Sequence, residues 1–404
     1  MHICLHTIWS VEPDFIGGTE RFIVDLAKEL LVIGCKPTIL CTGPNDEIEI
    51  DGVPVVRTVP PTHESQLAKR KIAKADFLIE DIIGPDGWET GIENLGRFID
   101  WQLSQINADV LHLNSFTSAF SINEIDCPVV VTNHENGQES DNLWGEGFFD
   151  WFANANKLHP NKLGRHKLLA VPTNYYADLY SDLFQQKIVG MMQGIRLENF
   201  QAIYNQRTIQ DQLTILLPSR FEPAQKGHDL AIKAVASLRE KGFDIKLIIS
   251  GIRDDYVKRL EEFRDDLGKR SDFSFIEFRR YGDMQLAYTA ADIVLSPERY
   301  CSYGLSISEA LACGCQTVLS DIPTYLEIAS QYENAHFFRC GDVDDLERAL
   351  LKLIDANAKK SVPSIEFRAV NDMRECAKAY AASYLRCLNP GREPRISRFG
   401  EIGG

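Results

Sequence analysis

The residues able to do chemistry in this sequence are concentrated in three stretches, each predicted where a β-strand hands over to a helix. In Leu217-Pro218-Ser219-Arg220-Phe221-Glu222-Pro223-Ala224-Gln225-Lys226-Gly227-His228-Asp229, two cations, Arg220 and Lys226, follow a strand. A guanidinium and an ammonium at the carboxyl end of a strand form a natural clamp for a diphosphate. Two solvated loop charges are the plainer alternative. In Leu295-Ser296-Pro297-Glu298-Arg299-Tyr300-Cys301-Ser302-Tyr303-Gly304-Leu305-Ser306-Ile307-Ser308-Glu309-Ala310-Leu311-Ala312-Cys313-Gly314, a buried strand ends in a Gly-containing loop that starts a helix. Glu309 sits there beside Ile307, Ala310 and Leu311, and a carboxylate on an apolar element is costly unless something pairs with it. A ribose diol is such a partner, since an ionised carboxylate accepts hydroxyl hydrogen bonds; a solvent-facing glutamate fits the same pattern. The amides around Tyr303, Gly304 and Leu305 are placed to meet phosphate oxygens. In Ile16-Gly17-Gly18-Thr19-Glu20-Arg21, Gly17 and Gly18 let the backbone approach a ligand closely. A helix opens there, with Thr19 as its expected cap; an ordinary strand-to-helix turn is again the alternative.

The elements that must position these residues form two halves. In the first, Ile3–Ile8, Pro37–Cys41, Val53–Val59, Val110–Leu113, Pro128–Thr132 and Leu168–Pro172 are short β-rich runs, with an Asp/Glu-rich turn before Val53. Thr19–Ile33 is a helix with Phe22, Ile23, Leu26, Leu30 and Ile33 on one face and Gly34 as its stop. In the second half, strands at Leu213–Leu217, Ile245–Ile249, Phe273–Phe278, Ile293–Leu295 and Thr317–Leu319 alternate with helices at Gly227–Lys241, Asp255–Leu267, Met284–Ala291, Leu305–Ala312 and Val343–Ala356. Strands with little polar alternation, separated by helices, predict parallel βαβ units and a doubly wound α/β fold. The polar stretch Gly194–Gln212 reads as the linker, and a last helix spans Val370–Leu388. Ligands of open α/β sheets bind beyond the carboxyl ends of the strands, so the cleft expected between two such domains is where chemistry belongs.

Composition narrows the partners. The chain has 404 residues, enough for two domains, and a net charge of -15. An acidic surface disfavours nucleic acid and anionic lipid, so a bound phosphate needs local cations or helix N-termini. The 10 cysteines contain no CxxC pair and read mainly as small buried hydrophobes in a reducing compartment. Met1–His6 reads as a strand rather than a signal peptide, and no apolar run approaches the ~18 residues of a membrane span. A cytoplasmic protein is expected. Trp151–Lys167 is locally basic: at most a peripheral contact with a membrane or an anionic acceptor, and more simply a solvated helix edge. Trp144 and Gly145–Gly147, just upstream, sit where acceptor contacts would be natural. Asp254-Asp255 reads as a helix cap rather than a metal motif. His6 and His112 read as core residues and His228 as first-turn filler.

In their order and spacing the three stretches resemble the retaining GT-B glycosyltransferases of family 4, over nearly the whole chain. Glu309-Ala310-Leu311-Ala312-Cys313-Gly314 matches the second half of that family's Glu-x7-Glu segment. The resemblance implies two Rossmann-like domains: an acceptor-binding one at 1–195, with a C-terminal helix of about 375–404 packed back on it, and a donor-binding one at 196–374. It implies transfer of a hexose-type sugar from a nucleotide-diphosphate sugar, UDP- or GDP-linked, to a saccharide, small-molecule or lipid-linked acceptor, with neither metal nor cofactor. Gly17 and Gly18 would lie under the donor phosphates or near the acceptor, and Arg220 and Lys226 would hold the diphosphate. Glu309 would grip the ribose, and Tyr303, Gly304 and Leu305 would contact phosphate or sugar. His134 would stand beside the transferred sugar. The base would lie near Phe278-Arg279-Arg280, making Arg279 a donor contact.

This chain departs from the family pattern in four places. Cys301 stands where the first Glu of Glu-x7-Glu belongs, with Glu298 three residues earlier. The linker reads Gln193-Gly194-Ile195-Arg196, where the family's acid is replaced by Arg196, whose cation could favour a nearby anion. The Arg-to-Lys spacing is one residue longer than usual, and Ser296-Pro297 reverses the usual order. These departures keep a non-catalytic nucleotide-sugar-binding homologue, or an epimerase on the same fold, in play beside the transferase. No segment suggests the Schiff-base lysine of a phosphorylase, and no G-x-G-x-x-G follows a strand as in a dehydrogenase.

Overall fold

Ile3-Cys4-Leu5 and Val129-Val130-Val131 lack polar alternation because both faces of their sheet are covered. The computed structural model describes residues 1–13, 17–59, 87–123, 125–200, 212–218, 223–251, 258, 261–262, 273–277, 281–356 and 365–389. The chain divides into two units: Met1–Gly194 joined by the segment from Asp372 onward, and Ile195–Asn371.

The first unit holds strands β1 (His2–His6), β2 (Lys36–Thr42), β3 (Asp46–Ile50), β4 (Val53–Thr58), β5 (Val110–Leu113), β6 (Val129–Thr132), β7 (Leu168–Val171) and β8 (Ile188–Gly190). Its described helices of six or more residues are α1 (Gly18–Val32), α2 (Trp88–Leu103), α3 (Phe116–Ser121), α4 (Gly137–Trp144), α5 (Phe148–Leu158) and α6 (Asn174–Phe184). The sheet order is β3-β4-β2-β1-β5-β6-β7-β8, parallel except for the antiparallel β3–β4 pair. The stretch read as an Asp/Glu-rich turn is therefore corrected in part to β3. Its Asp-Glu-Ile-Glu-Ile pattern alternates as a half-exposed edge strand does, and Arg57 ties it down through Asp46 at 2.6 Å.

The second unit holds β9 (Leu213–Pro218), β10 (Ile245–Gly251), β11 (Phe273–Glu277), β12 (Ile293–Ser296), β13 (Gln316–Ser320) and β14 (Ala335–Phe338). Its described helices of six or more residues are α7 (His228–Glu240), α8 (Tyr281–Ala290), α9 (Leu305–Ala312), α10 (Pro323–Ala329), α11 (Val343–Asp355) and α12 (Ile365–Asn371), and a short helix, Pro223–Lys226, precedes α7. All strand pairs are parallel, in the order β11-β10-β9-β12-β13-β14. The doubly wound α/β arrangement expected from the sequence is present in both units.

One last helix, α13 (Met373–Leu388), belongs to the first unit, where it packs on α1. The reading of one helix over Val370–Leu388 is corrected: Asp372 stops the run by capping α13, accepting from the Arg374 amide at 3.0 Å. A fully buried polar chain fastens α13 to the sheet. Tyr384 meets His112 Nδ1 at 2.7 Å, His112 Nε2 meets Thr132 at 2.8 Å, and Thr132 meets the Tyr380 hydroxyl at 2.9 Å.

Candidate active site

A doubly wound sheet binds ligand where its winding reverses. In the second unit that reversal lies between β9 and β12, which pair through Ile215–Ile293 and Leu216–Val294. The segments leaving these two strands are laced together. The Gln225 carbonyl accepts from the Arg299 amide at 2.8 Å, and its side chain donates to the Tyr300 carbonyl at 3.1 Å. Lys226 Nζ lies 2.8 Å from Glu298 Oε2, and Arg299 pairs with Asp229 at 2.9 Å. Gly227, at φ +63°, lies so close to the Pro297 carbonyl that an added Cβ would come within 2.0 Å of it. Glycine is required there twice over, by conformation and by space.

Lys226 is thus a half-buried cation already matched to a buried carboxylate. Its side chain is 12% exposed and that of Glu298 4%. Each would be costly there without the other. The Tyr325 hydroxyl contacts Ser296 Oγ at 2.8 Å and also bonds Glu298; burial, then the Glu298 charge, raises it well above the ordinary tyrosine range. His228 opens α7 fully buried, and burial, reinforced by Lys226 and Arg299, lowers it to about 3. Arg220 and Arg279 lie outside the described residues, as does Asp254-Asp255.

Glu309 is buried in α9 and accepts from the Tyr288 hydroxyl at 2.8 Å. The expectation that such a carboxylate needs a partner holds; the partner found within the chain is a phenol from α8, not solvent. Gly304 caps α9 at φ +97° with no side-chain bond to the first-turn amides, and a Cβ there would strike Tyr325 at 2.7 Å. Tyr303 is buried and Leu305 half-buried. Cys301 is buried, and its carbonyl accepts from Thr324 at 2.7 Å.

The first unit reverses between β1 and β5, and its strand ends carry neutral polar groups. His134, after β6, is bonded at both nitrogens: Nε2 to Asn114 Oδ1 at 2.9 Å and Nδ1 to Gln193 Nε2 at 2.6 Å. Asn114 spends its amide N–H on the His6 carbonyl at 3.1 Å, so Oδ1 faces the histidine and the proton sits on Nε2. Burial lowers His134 to about 3 and leaves it neutral. Its ring lies against Phe22 of α1 at 5.0 Å. Gly17, not Thr19, is the N-cap of α1, and it makes no side-chain cap; Gly18 is exposed.

Several expectations from the sequence are corrected here. Trp144 is buried and stacks on Phe148 at 5.2 Å, and its carbonyl accepts from Trp88 Nε1 at 3.0 Å, so it belongs to an aromatic cluster rather than an open acceptor surface. The basic stretch after Trp151 is not a simple solvated edge: Arg165 donates to the Ile122 carbonyl, His166 Nε2 bonds the Ala119 carbonyl at 2.9 Å, and Lys162 lies over Phe120 at 5.9 Å. Arg196 pairs with Glu198 at 3.1 Å. Sequence alone gives no role to Asn114 or Tyr288, which no motif marks, and shows Gln193 only as a linker residue, since each acts on a residue far away in the chain. Among the described residues no three of His, Cys, Asp and Glu converge as metal ligands, and no helix is long and apolar enough to cross a membrane.

Two doubly wound α/β units of this kind are the GT-B fold of solved glycosyltransferase structures, and the second unit matches a glycosyltransferase family model. Residues 199–366 match the family described as Glycosyl transferases group 1. Over 346 residues the chain is 23% identical to an uncharacterized glycosyltransferase of Methanocaldococcus jannaschii, covering 81% of this chain and 82% of that one. Sucrose-phosphate synthase from Thermosynechococcus elongatus superposes with a TM-score of 0.69 at 16% identity, covering 95% of this chain and 96% of that one. The Anabaena protein HepE, solved in complex with UDP-glucose, superposes with a TM-score of 0.64 at 16% identity, covering 95% and 99%.

Proposed function

We propose that the protein transfers a hexose-type sugar from a UDP- or GDP-linked donor to an acceptor hydroxyl, with retention at the anomeric carbon and without a metal or cofactor. The observation that carries this reading is the laced pair of segments at the β9–β12 reversal, which holds Lys226 where an anionic ligand of such a sheet binds. The likeness to a fold solved with UDP-glucose supports a nucleotide-diphosphate sugar as that ligand. In this reading Lys226 and Arg220 offset charge developing on the departing diphosphate, and each such contact contributes about 3 kcal/mol in transition-state stabilisation. Glu309 takes the ribose hydroxyls, sharing them with Tyr288. The departing phosphate takes the acceptor proton, so catalysis is positioning and charge stabilisation. His134, neutral and bonded at both nitrogens, orients the transferred sugar and does not carry a proton. The acceptor is a saccharide, a small molecule or a lipid-linked sugar, met by the first unit, and the site of action is the cytoplasm.

The test is thermal stabilisation of the full chain by UDP-, GDP- and ADP-sugars, on wild type and on Arg220→Ala, Lys226→Ala and Glu309→Ala. One donor should raise the melting temperature of wild type and not of the variants. NMR of the product should then show the donor's anomeric configuration, with turnover unchanged in EDTA. No shift with any donor sinks the reading, an inverted product removes retention, and loss of turnover in EDTA removes metal independence. The second reading, a non-catalytic binder, is favoured by Cys301; it predicts stabilisation by a donor with no turnover or donor hydrolysis.

A further inference from the structure

Cys301 leaves the chain without the first carboxylate of the Glu-x7-Glu pattern, yet a carboxylate does reach the donor end of β9. Glu298 leaves β12 two residues after Ser296, is buried, and places Oε2 at 2.8 Å from Lys226 Nζ across 72 positions of sequence. We propose that Glu298 is the positioning residue for Lys226, keeping its ammonium charged and aimed at the donor diphosphate. This inference rests on the donor-binding reading above.

A lysine has a flexible four-carbon stem and a strongly hydrated head, so a half-buried one is neither fixed nor charged by default. Glu298 supplies both conditions. It is itself hydrogen-bonded by Tyr325, which Ser296 holds in turn at 2.8 Å. The carboxylate therefore cannot follow the lysine outward; the lysine must stay with the carboxylate. Nor is this ion pair what joins the two segments. The Gln225 bonds to Arg299 and Tyr300, the Gly227–Pro297 contact and the Asp229–Arg299 pair already do that. Removing the Glu298 charge should free Lys226 and leave the lacing in place. Among the described residues, titratable or charged groups around this pair include His228, buried and neutral, Arg299 with its partner Asp229, the Tyr325 phenol, and the thiols of Cys301 and Cys340.

The test has a part that needs no donor. Full-length wild type, Glu298→Gln and Glu298→Asp are labelled with trace acetic anhydride at pH 8, and acetylation of each lysine is followed by mass spectrometry. Lys226 should label about tenfold faster in Glu298→Gln, because an ammonium without its carboxylate gives up its proton more readily. Glu298→Asp should fall between, and Lys233 on α7 should label equally in all three. An unchanged Lys226 rate in Glu298→Gln, or a parallel rise at Lys233, overturns the proposal. The second part uses the donor identified above. Glu298→Gln should lower kcat about tenfold or more with KM changed less than about threefold, and should cost nothing further in a Lys226→Ala background. An equal loss in both backgrounds overturns the proposal. If wild type turns over no donor, the transferase reading fails, while the labelling still decides whether Glu298 governs Lys226.

Discussion

The segments that follow the parallel strands of the two units are built from different chemistry. In the first unit they carry amides and a neutral imidazole: Asn114, His134 and Gln193, bonded to one another. In the second they carry ions held in pairs: Lys226 with Glu298, and Arg299 with Asp229. Neutral donors and acceptors suit hydroxyl groups, which need geometry more than charge. Paired ions suit a diphosphate, since an ammonium kept charged in a half-buried place is strong at short range. In the proposed reading, one fold, used twice, is tuned by side chains for two kinds of ligand.

Acid should break this contrast most widely. Burial holds His6 and His166 at about 4 and His112 and His134 at about 3 in the first unit; in the second it holds His228 at about 3 and lowers the half-buried His336. A histidine lowered on folding stabilises fully above its unfolded value of about 6.5 and loses that contribution as pH falls toward the folded value. At pH 5 the loss is about 2 kcal/mol for each of the fully buried histidines His6, His112, His134 and His228. Calorimetry from pH 7 to 4 should show the first unit melting ahead of the second; a second unit that melts first would refute the assignment of charge and neutrality.

Lys226→Ala comes next. It should lower kcat/KM about 10²- to 10³-fold and also lower the melting temperature of the second unit, since Glu298 is left buried without its cation, whereas His134→Asn should cost about tenfold and leave the acid limb of the pH–rate profile in place. If that limb shifts in His134→Asn, the imidazole carries a proton after all. Gly227→Ala should destabilise the second unit by at least about 2 kcal/mol, through a left-handed backbone and a clash with Pro297, and leave the first unit's melting unchanged. The smallest effect is expected of Tyr384→Phe, which deprives buried His112 Nδ1 of its partner: about 1–2 kcal/mol from the first unit in urea unfolding. No change would mean that the polar chain to α13 contributes nothing net.

Much of the fold was legible from sequence, because parallel strands buried on both faces announce themselves as short apolar runs. Leu305–Ala312 was read with the boundaries α9 has. The edge strand β3 escaped because its acidic residues face water and its partner is supplied by a hairpin. In the site, Lys226 and Glu309 were visible as charges in the wrong company. What they hold was not: Glu298 and Tyr288 lie 72 and 21 residues from the groups they bind. Pairings across strand ends depend on strand order, which local periodicity does not encode.

The return of α13 to the first unit also bears on how the protein is made. A ribosome delivers β1 through β8 first, then all of the second unit, and α13 last. Until then the sheet face that takes Tyr380 and Tyr384 has no cover, and His112 and Thr132 lack the hydroxyls that satisfy them. The second unit, continuous in sequence, can finish during synthesis. The first must wait, with its earliest strands among the last parts of the chain to be sealed.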